Sequence, residues 1–260
     1  MSQTEGSKAR DIFVPGNHDL RDLPEAYEER EDKDGSSVTV KTDKYPLRLR
    51  EYSGFFHRFR QKPYPLGYAE QGMAIPFWET GIQFLTLNSC WQIDQYNRKR
   101  SGINPDALAQ VIRDAEDQET MALRSGQFFA HQPTLRIGVW HHAVVGSEQM
   151  KNVEFLGHLE KIGVRICLHG DVHEARRDLV RYWSPQKIHV IGAGSFGAAS
   201  GERPESTPRL YNVLEIARDL RSVRVNTRCQ LKTDGPWKGW NEWDPADGRE
   251  GAVPYYDIKW

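Results

Sequence analysis

Cysteine is scarce in this chain. The three thiols, Cys90, Cys167 and Cys229, are odd in number and far apart among 260 residues, a pattern that excludes a disulfide framework. Cys167 lies inside an apolar run and Cys90 at the end of one, so both read as small buried hydrophobes. No run of 18 apolar residues occurs, and the N-terminus lacks a charged-then-apolar leader; the expectation is a soluble, cytoplasmic protein with no membrane partner. Neither sign of charge dominates: 35 Lys plus Arg stand against 36 Asp plus Glu. Nucleic acid is therefore allowed as a partner but nothing in the charge balance calls for it. The glycine-rich turn Gly192-Ala193-Gly194-Ser195-Phe196-Gly197 has no Lys-Ser/Thr helix start after it, which removes a phosphate-cradling P-loop.

What is present is a folded composition, 38% hydrophobic with eight Trp, long enough for a core, and its evenly spread apolar stretches favour a single domain over 1–260. Ile12-Phe13-Val14 predicts a buried strand that stops at Pro15 and Gly16 and delivers Asn17-His18-Asp19 into a loop. Ile137 to Trp140, followed by His141-His142, repeats the arrangement. Val164 to Leu168, followed by His169-Gly170-Asp171-Val172-His173, repeats it again. Sheets of the α/β class bind ligands at the carboxyl ends of their strands. Three strand ends rich in nitrogen and oxygen donors thus suggest one metal site.

Between these landmarks, Leu20 to Lys44 is polar, with eight charged residues in Glu25 to Asp34, and reads as a solvated helix or loop. Tyr45 to Tyr68 interleaves basic and aromatic residues, and residues 45–70 are expected to form a cap insertion. It reads either as an amphipathic helix presenting Tyr52, Phe55, Phe56 and Phe59 to the core, or as a substrate surface in which Arg58, Arg60 and Tyr64 meet phosphate and base. Ala74–Trp78 and Ile82–Ser89 predict a hairpin turning at Glu79-Thr80-Gly81. Asn104 is the expected cap, and Pro105 the first residue, of a helix carrying Leu108, Val111, Ile112 and Ala115, with Gln118 to Ala130 a connection. A second helix is predicted over Gln149–Ile162 and further strands over Lys187–Ile191, Tyr211–Ile216 and Ser222–Leu231. The aromatic tail, residues 232–260, reads as a platform for sugar or base, or as a final strand and hairpin over a sheet edge. This order of elements suggests two sheets face to face with flanking helices.

With Gly16-Asn17-His18-Asp19, then His141-His142, then Gly170-Asp171-Val172-His173 in this order, the chain resembles the calcineurin-like metallophosphoesterases. Their motifs run D-x-H, G-D, G-N-H-D/E, a lone His, and G-H-x-H. The resemblance implies an α/β fold, a four-layer α/β/β/α sandwich of two mixed sheets. It also implies hydrolysis of phosphoric monoesters or diesters, including small phosphoesters and nucleotides, by metal-activated hydroxide. Two divalent cations, Mn²⁺ or Fe²⁺/Zn²⁺, serve an intact homologue. Carried over by position, Asn17, His141 and Asp171 hold the second cation and His173 the first. His18 meets the phosphate as acid, Asp19 orients His18, and His142 and His169 stand behind the ligands. Two features depart from the pattern. Residues Met1–Asp11 contain neither a His nor a Gly-Asp pair, and Asp171 stands where the family has a His. The chain is therefore expected to be N-terminally truncated, its missing ligands supplied by an extension or a partner chain. The alternative is a catalytically inactive, degenerate binding or sensing module of the same fold.

Overall fold

Stretches such as Ile82–Leu87 and Val164–His169 are apolar on both faces, so they suit the middle of a sheet that is covered on both sides. In the computed structural model they take that place. The structure describes residues 11–127, 133–145, 150–172, 175–180, 187–194, 196–197, 207–232, 234–245, 248 and 250–260. In chain order its elements are β1 (Tyr27–Glu31), β2 (Ser37–Lys41), α1 (Arg50–Arg60), β3 (Gly72–Phe77), β4 (Ile82–Leu87), α2 (Pro105–Arg124), β5 (Leu135–Val139), α3 (Phe155–Lys161), β6 (Val164–His169), β7 (Ala175–Val180), β8 (Ile188–Ala193), β9 (Arg209–Ile216), β10 (Ser222–Gln230), β11 (Lys238–Gly239) and β12 (Tyr255–Lys259).

The main sheet has six strands in the order β3-β4-β5-β6-β8-β7. Its four central strands are parallel, and β3 and β7 close the two edges antiparallel. Parallel neighbours require crossovers, and α2 and α3 supply two of them. Both helices cover one face: Leu108, Val111 and Ala115 of α2 and Phe155, Leu156 and Leu159 of α3 pack on Leu85, Leu87, Cys167 and Val190. On the opposite face, Leu135, Ile137, Ile166 and Ile191 meet Val223, Val225, Tyr256 and Ile258 of a second sheet. There β9 pairs with one side of β10 while β11 and β12 share the other, so the aromatic tail lines a sheet edge.

The protein is thus mixed α/β, with two sheets packed face to face. Among the described residues it has three layers rather than the expected four. α2 and α3 lie on the main sheet, and α1 packs through Tyr52 and Phe56 against Tyr64, Phe13 and Met73. Among the described residues, therefore, no helix is left for the outer face of the second sheet. No described helix is long and apolar enough to cross a membrane.

A buried guanidinium ties the layers together. Arg136 donates to Gln83 Oε1 at 3.1 Å, to Glu119 Oε2 at 2.6 Å and to the carbonyl of Ile162. It joins a strand, α2 and the end of α3 in one charge-assisted network.

Several sequence expectations need correction. Ile12–Val14 forms no strand ladder among the described residues. The apolar run is satisfied differently, by Phe13 packing edge-on against Phe55 and Phe56 and tilted against Phe59 of α1. The polar stretch Leu20–Lys44 holds the hairpin of β1 and β2, which turns at Gly35 with φ +81°. α2 continues to Arg124, through most of the expected connection. Its start is as expected: Asn104 Oδ1 accepts the N–H groups of Asp106 and Ala107 at 2.9 and 3.1 Å. α3 begins only at Phe155, because buried Met150 is pinned to the carbonyl of Ala143 and Asn152 Oδ1 accepts the N–H of Glu154.

Candidate metal centre

Because β4, β5 and β6 are parallel, the residues that follow them emerge at one edge of the sheet. β4 delivers Asn88-Ser89-Cys90, β5 delivers Trp140-His141-His142, and β6 ends at His169 and delivers Gly170-Asp171. A fourth segment, the 3-10 turn Asn17–Asp19, is fastened over them. Its anchor is Cys90, whose Sγ lies 3.2 Å from the Pro15 carbonyl oxygen. The turn is closed by the Asp19 carboxylate, which accepts the Gly16 N–H at 2.8 Å. Gly16 is required here by space: a Cβ would come within 3.0 Å of the His141 ring. The other side of that ring faces Gly170, whose N–H donates to the His141 carbonyl at 3.0 Å. Asp171 adopts φ +64°, the left-handed region that Asp tolerates better than most residues and that turns its carboxylate back to the imidazole.

His141 Nε2 lies 3.1 Å from Asn17 Oδ1 and 3.5 Å from Asp171 Oδ1. His141, His142 and Asp171 each present a ligand atom within 4.8 Å of the others. Ser89 holds the His142 imidazole and the backbone of both histidines. Its Oγ lies 2.8 Å from His142 Nδ1 and accepts the backbone N–H of both His141 and His142, at 3.2 and 3.1 Å. With Nδ1 engaged in this way, Nε2 is the His142 nitrogen left to face a cation. Binding there requires the tautomer that carries its proton on Nδ1.

The electrostatics suit a cation. Burial opposes ionisation of Asp171, but the His141 hydrogen bond and the neighbouring imidazoles His142 and His169 outweigh it and hold the carboxyl below its usual range. Burial pushes His142 down to about 4, with His141 adding to the shift and Asp171 opposing it. At neutral pH the site therefore offers a carboxylate and an unprotonated imidazole. An amide oxygen, a carboxylate and imidazole nitrogens suit Mn²⁺, Fe²⁺ or Zn²⁺. Cys90 is not a ligand in waiting, since burial raises its thiol well above the usual value and it is turned to Pro15.

The remaining candidates separate. His18 is exposed and lies outside the ligand group. It lines, with Asn17, a cleft of about 280 Å³ whose walls include Arg21, Arg48, Asp94 and Arg98. Asp19 is engaged by Gly16 rather than by His18. His169 is buried behind the site, its Nδ1 2.8 Å from the Gly170 carbonyl oxygen. His173 lies outside the described residues. Of the expected substrate contacts, Tyr64 is buried beneath α1, where it closes the aromatic cluster and cannot meet substrate. Arg60 donates to the Asp11 carbonyl, and neither it nor Arg58 lines the cleft. The sequence reading missed Ser89 as the hub and Arg21 and Arg98 as the basic wall. A signal existed for Ser89, since an apolar strand ends in Asn88-Ser89.

No protein-family model matches the chain, and no curated protein matches it.

Proposed function

We propose that the protein is a metal-dependent hydrolase of phosphoric esters, of the calcineurin-like type that its motifs resemble. One observation carries the reading: three parallel strand ends and a stapled turn bring His141, His142 and Asp171 within 4.8 Å of one another, with Asn17 Oδ1 on the same imidazole. Asn17, His141 and Asp171 hold a divalent cation, Mn²⁺ or Fe²⁺/Zn²⁺, with His142 as a further nitrogen donor. His173 belongs to a first metal position in this reading. These residues would place a cation where it could supply Lewis-acid polarisation of a phosphoryl oxygen and a lowered pKa for water.

The chain's own groups divide the remaining work. Ser89 and Gly170 fix the imidazoles, which keeps the ligands at their distances before any cation arrives. Asp171 stays ionised and contributes the negative charge. His18, exposed at the mouth of the cleft, meets the leaving oxygen and gives it a proton. The two sheets packed face to face, with α2 and α3 on one of them, are what supports an α/β sandwich like that of the resembled family.

A specific feature favours a second reading. Asp19 is committed to the Gly16 N–H, so among the described residues His18 has no carboxylate to orient it. A binding or sensing module of this fold keeps the cation and hydrolyses nothing. Hydrolysis of bis-p-nitrophenyl phosphate with added Mn²⁺, measured beside metal content, decides between them. Turnover that is lost in His18→Ala while metal is retained supports the hydrolase. Metal binding without turnover in the unaltered protein supports the module.

A further inference from the structure

The cleft lined by Asn17 and His18 is also lined by Arg21, Arg48 and Arg98. The three guanidinium groups are not equivalent. Arg48 is buried and consumed: it donates to the carbonyls of Tyr45, Ile93 and Trp91 and lies over the Tyr45 ring. Arg21 is paired with Glu51 at 2.6 Å. Arg98 is exposed and has no ion-pair or hydrogen-bond partner among the described residues. Its backbone, by contrast, is held in place. Asp94 Oδ1 accepts the N–H groups of Tyr96 and Asn97 at 3.0 and 2.8 Å and the Asn97 side-chain amide at 3.1 Å. Arg100 N–H then donates to the Asn97 carbonyl at 3.1 Å. The loop on either side of Arg98 is thus fastened, and a guanidinium is left unspent at the cleft wall.

Of the two carboxylates in the same wall, Asp94 has its charge compensated by the loop it ties, the Tyr45 hydroxyl at 2.9 Å and Lys41 at 3.7 Å. Only Asp22 opposes an incoming anion. We propose that Arg98 is a specificity residue that takes a second anionic group of the substrate, so that the preferred substrates are phosphoesters bearing a further phosphate. This rests on the phosphoester reading above. A guanidinium grips a phosphate through paired N–H donors, which Lys reproduces only in part.

Two chromogenic diesters test it on the full chain with Mn²⁺: bis-p-nitrophenyl phosphate, with one anionic group, and thymidine 3′-phosphate 5′-(p-nitrophenyl phosphate), with two. Arg98→Ala should raise KM for the second by about tenfold, the scale of one lost charge-assisted contact, and leave the first within about twofold. Arg98→Lys should fall between, and Asp22→Asn should lower KM for the second substrate alone. Equal effects on both substrates, or none on the second, overturn the proposal. Calorimetric titration separates this from failure of the hydrolase reading. Thymidine 3′,5′-bisphosphate should bind the unaltered chain about tenfold more tightly than Arg98→Ala, with thymidine 5′-monophosphate showing no such preference. If that preference holds and neither diester is cleaved, the anion site stands and the hydrolase reading falls. If bisphosphate binds both proteins alike, Arg98 has no such role, whether or not the chain hydrolyses diesters.

Discussion

Replacing Asp94 by Asn should destabilise the protein in a pH-dependent way. Asp94 is almost wholly buried, and burial alone would disfavour its charge. The Tyr27 and Tyr45 hydroxyls turned towards it, the Asn97 amide and the Tyr96 N–H outweigh that penalty and lower its pKa from 3.8 to about 2. At about 1.4 kcal/mol per pH unit, that displacement corresponds to roughly 2 kcal/mol of folding free energy. The sign follows from the direction of the shift. A folded-state value below the unfolded one means stability that is fully present above pH ~4 and lost as pH falls towards about 2. Urea unfolding of both proteins, in steps from pH 7 to pH 2.5, measures the gap. Asp94→Asn should lie roughly 2 kcal/mol below the unaltered chain at pH 7, and the two should converge below pH ~4. A gap of the same size at every pH would mean that the loss comes from packing or geometry and that the carboxylate charge contributes nothing.

Other perturbations read the site and its frame. Ser89→Ala removes the oxygen that meets His142 Nδ1 and two backbone N–H groups, and Mn²⁺ affinity should fall by about 10- to 100-fold in a calorimetric titration, with some loss of stability. Gly16→Ala places a methyl 3.0 Å from the His141 ring; Mn²⁺ binding should weaken while the far-ultraviolet circular dichroism spectrum stays unchanged. Gly72→Ala would put its Cβ 2.4 Å from the Ala107 carbonyl oxygen, where β3 passes α2, and thermal unfolding should show a loss of about 2 kcal/mol or more.

The parts of the fold that could be read from sequence are those in which local pattern and burial agree. Ile137 and Ile166 lie in apolar runs that become central strands, and Asn104-Pro105 caps the helix expected of it. The β1–β2 hairpin was hidden because Glu28–Glu31 is charged throughout and exposed, and the short alternation Ser37-Val38-Thr39-Val40-Lys41 is exposed at four of its five positions inside a polar stretch. Ile12–Val14 misled for the opposite reason: its hydrophobicity is spent on α1 side chains, not on a ladder. At the site, the motif residues Asn17, His141 and Asp171 meet across long sequence separations. Tyr64 could not be distinguished from an exposed tyrosine by spacing alone, and its burial depends on Tyr52 and Phe56 of a helix packed across it. Arg98 was equally hidden. Its lack of a partner among the described residues, beside a loop that Asp94 ties, is a tertiary feature that spacing does not show.

Metal content after incubation with Mn²⁺ and gel filtration, measured by plasma mass spectrometry on the unaltered chain and on His141→Ala, shows whether these side chains bind a cation. The site described by Asn17, His141, His142 and Asp171 predicts about one Mn²⁺ per unaltered chain, as one such ligand group supplies, and a near-complete loss in His141→Ala. Equal manganese in the two proteins would contradict the assignment of these residues as a metal centre.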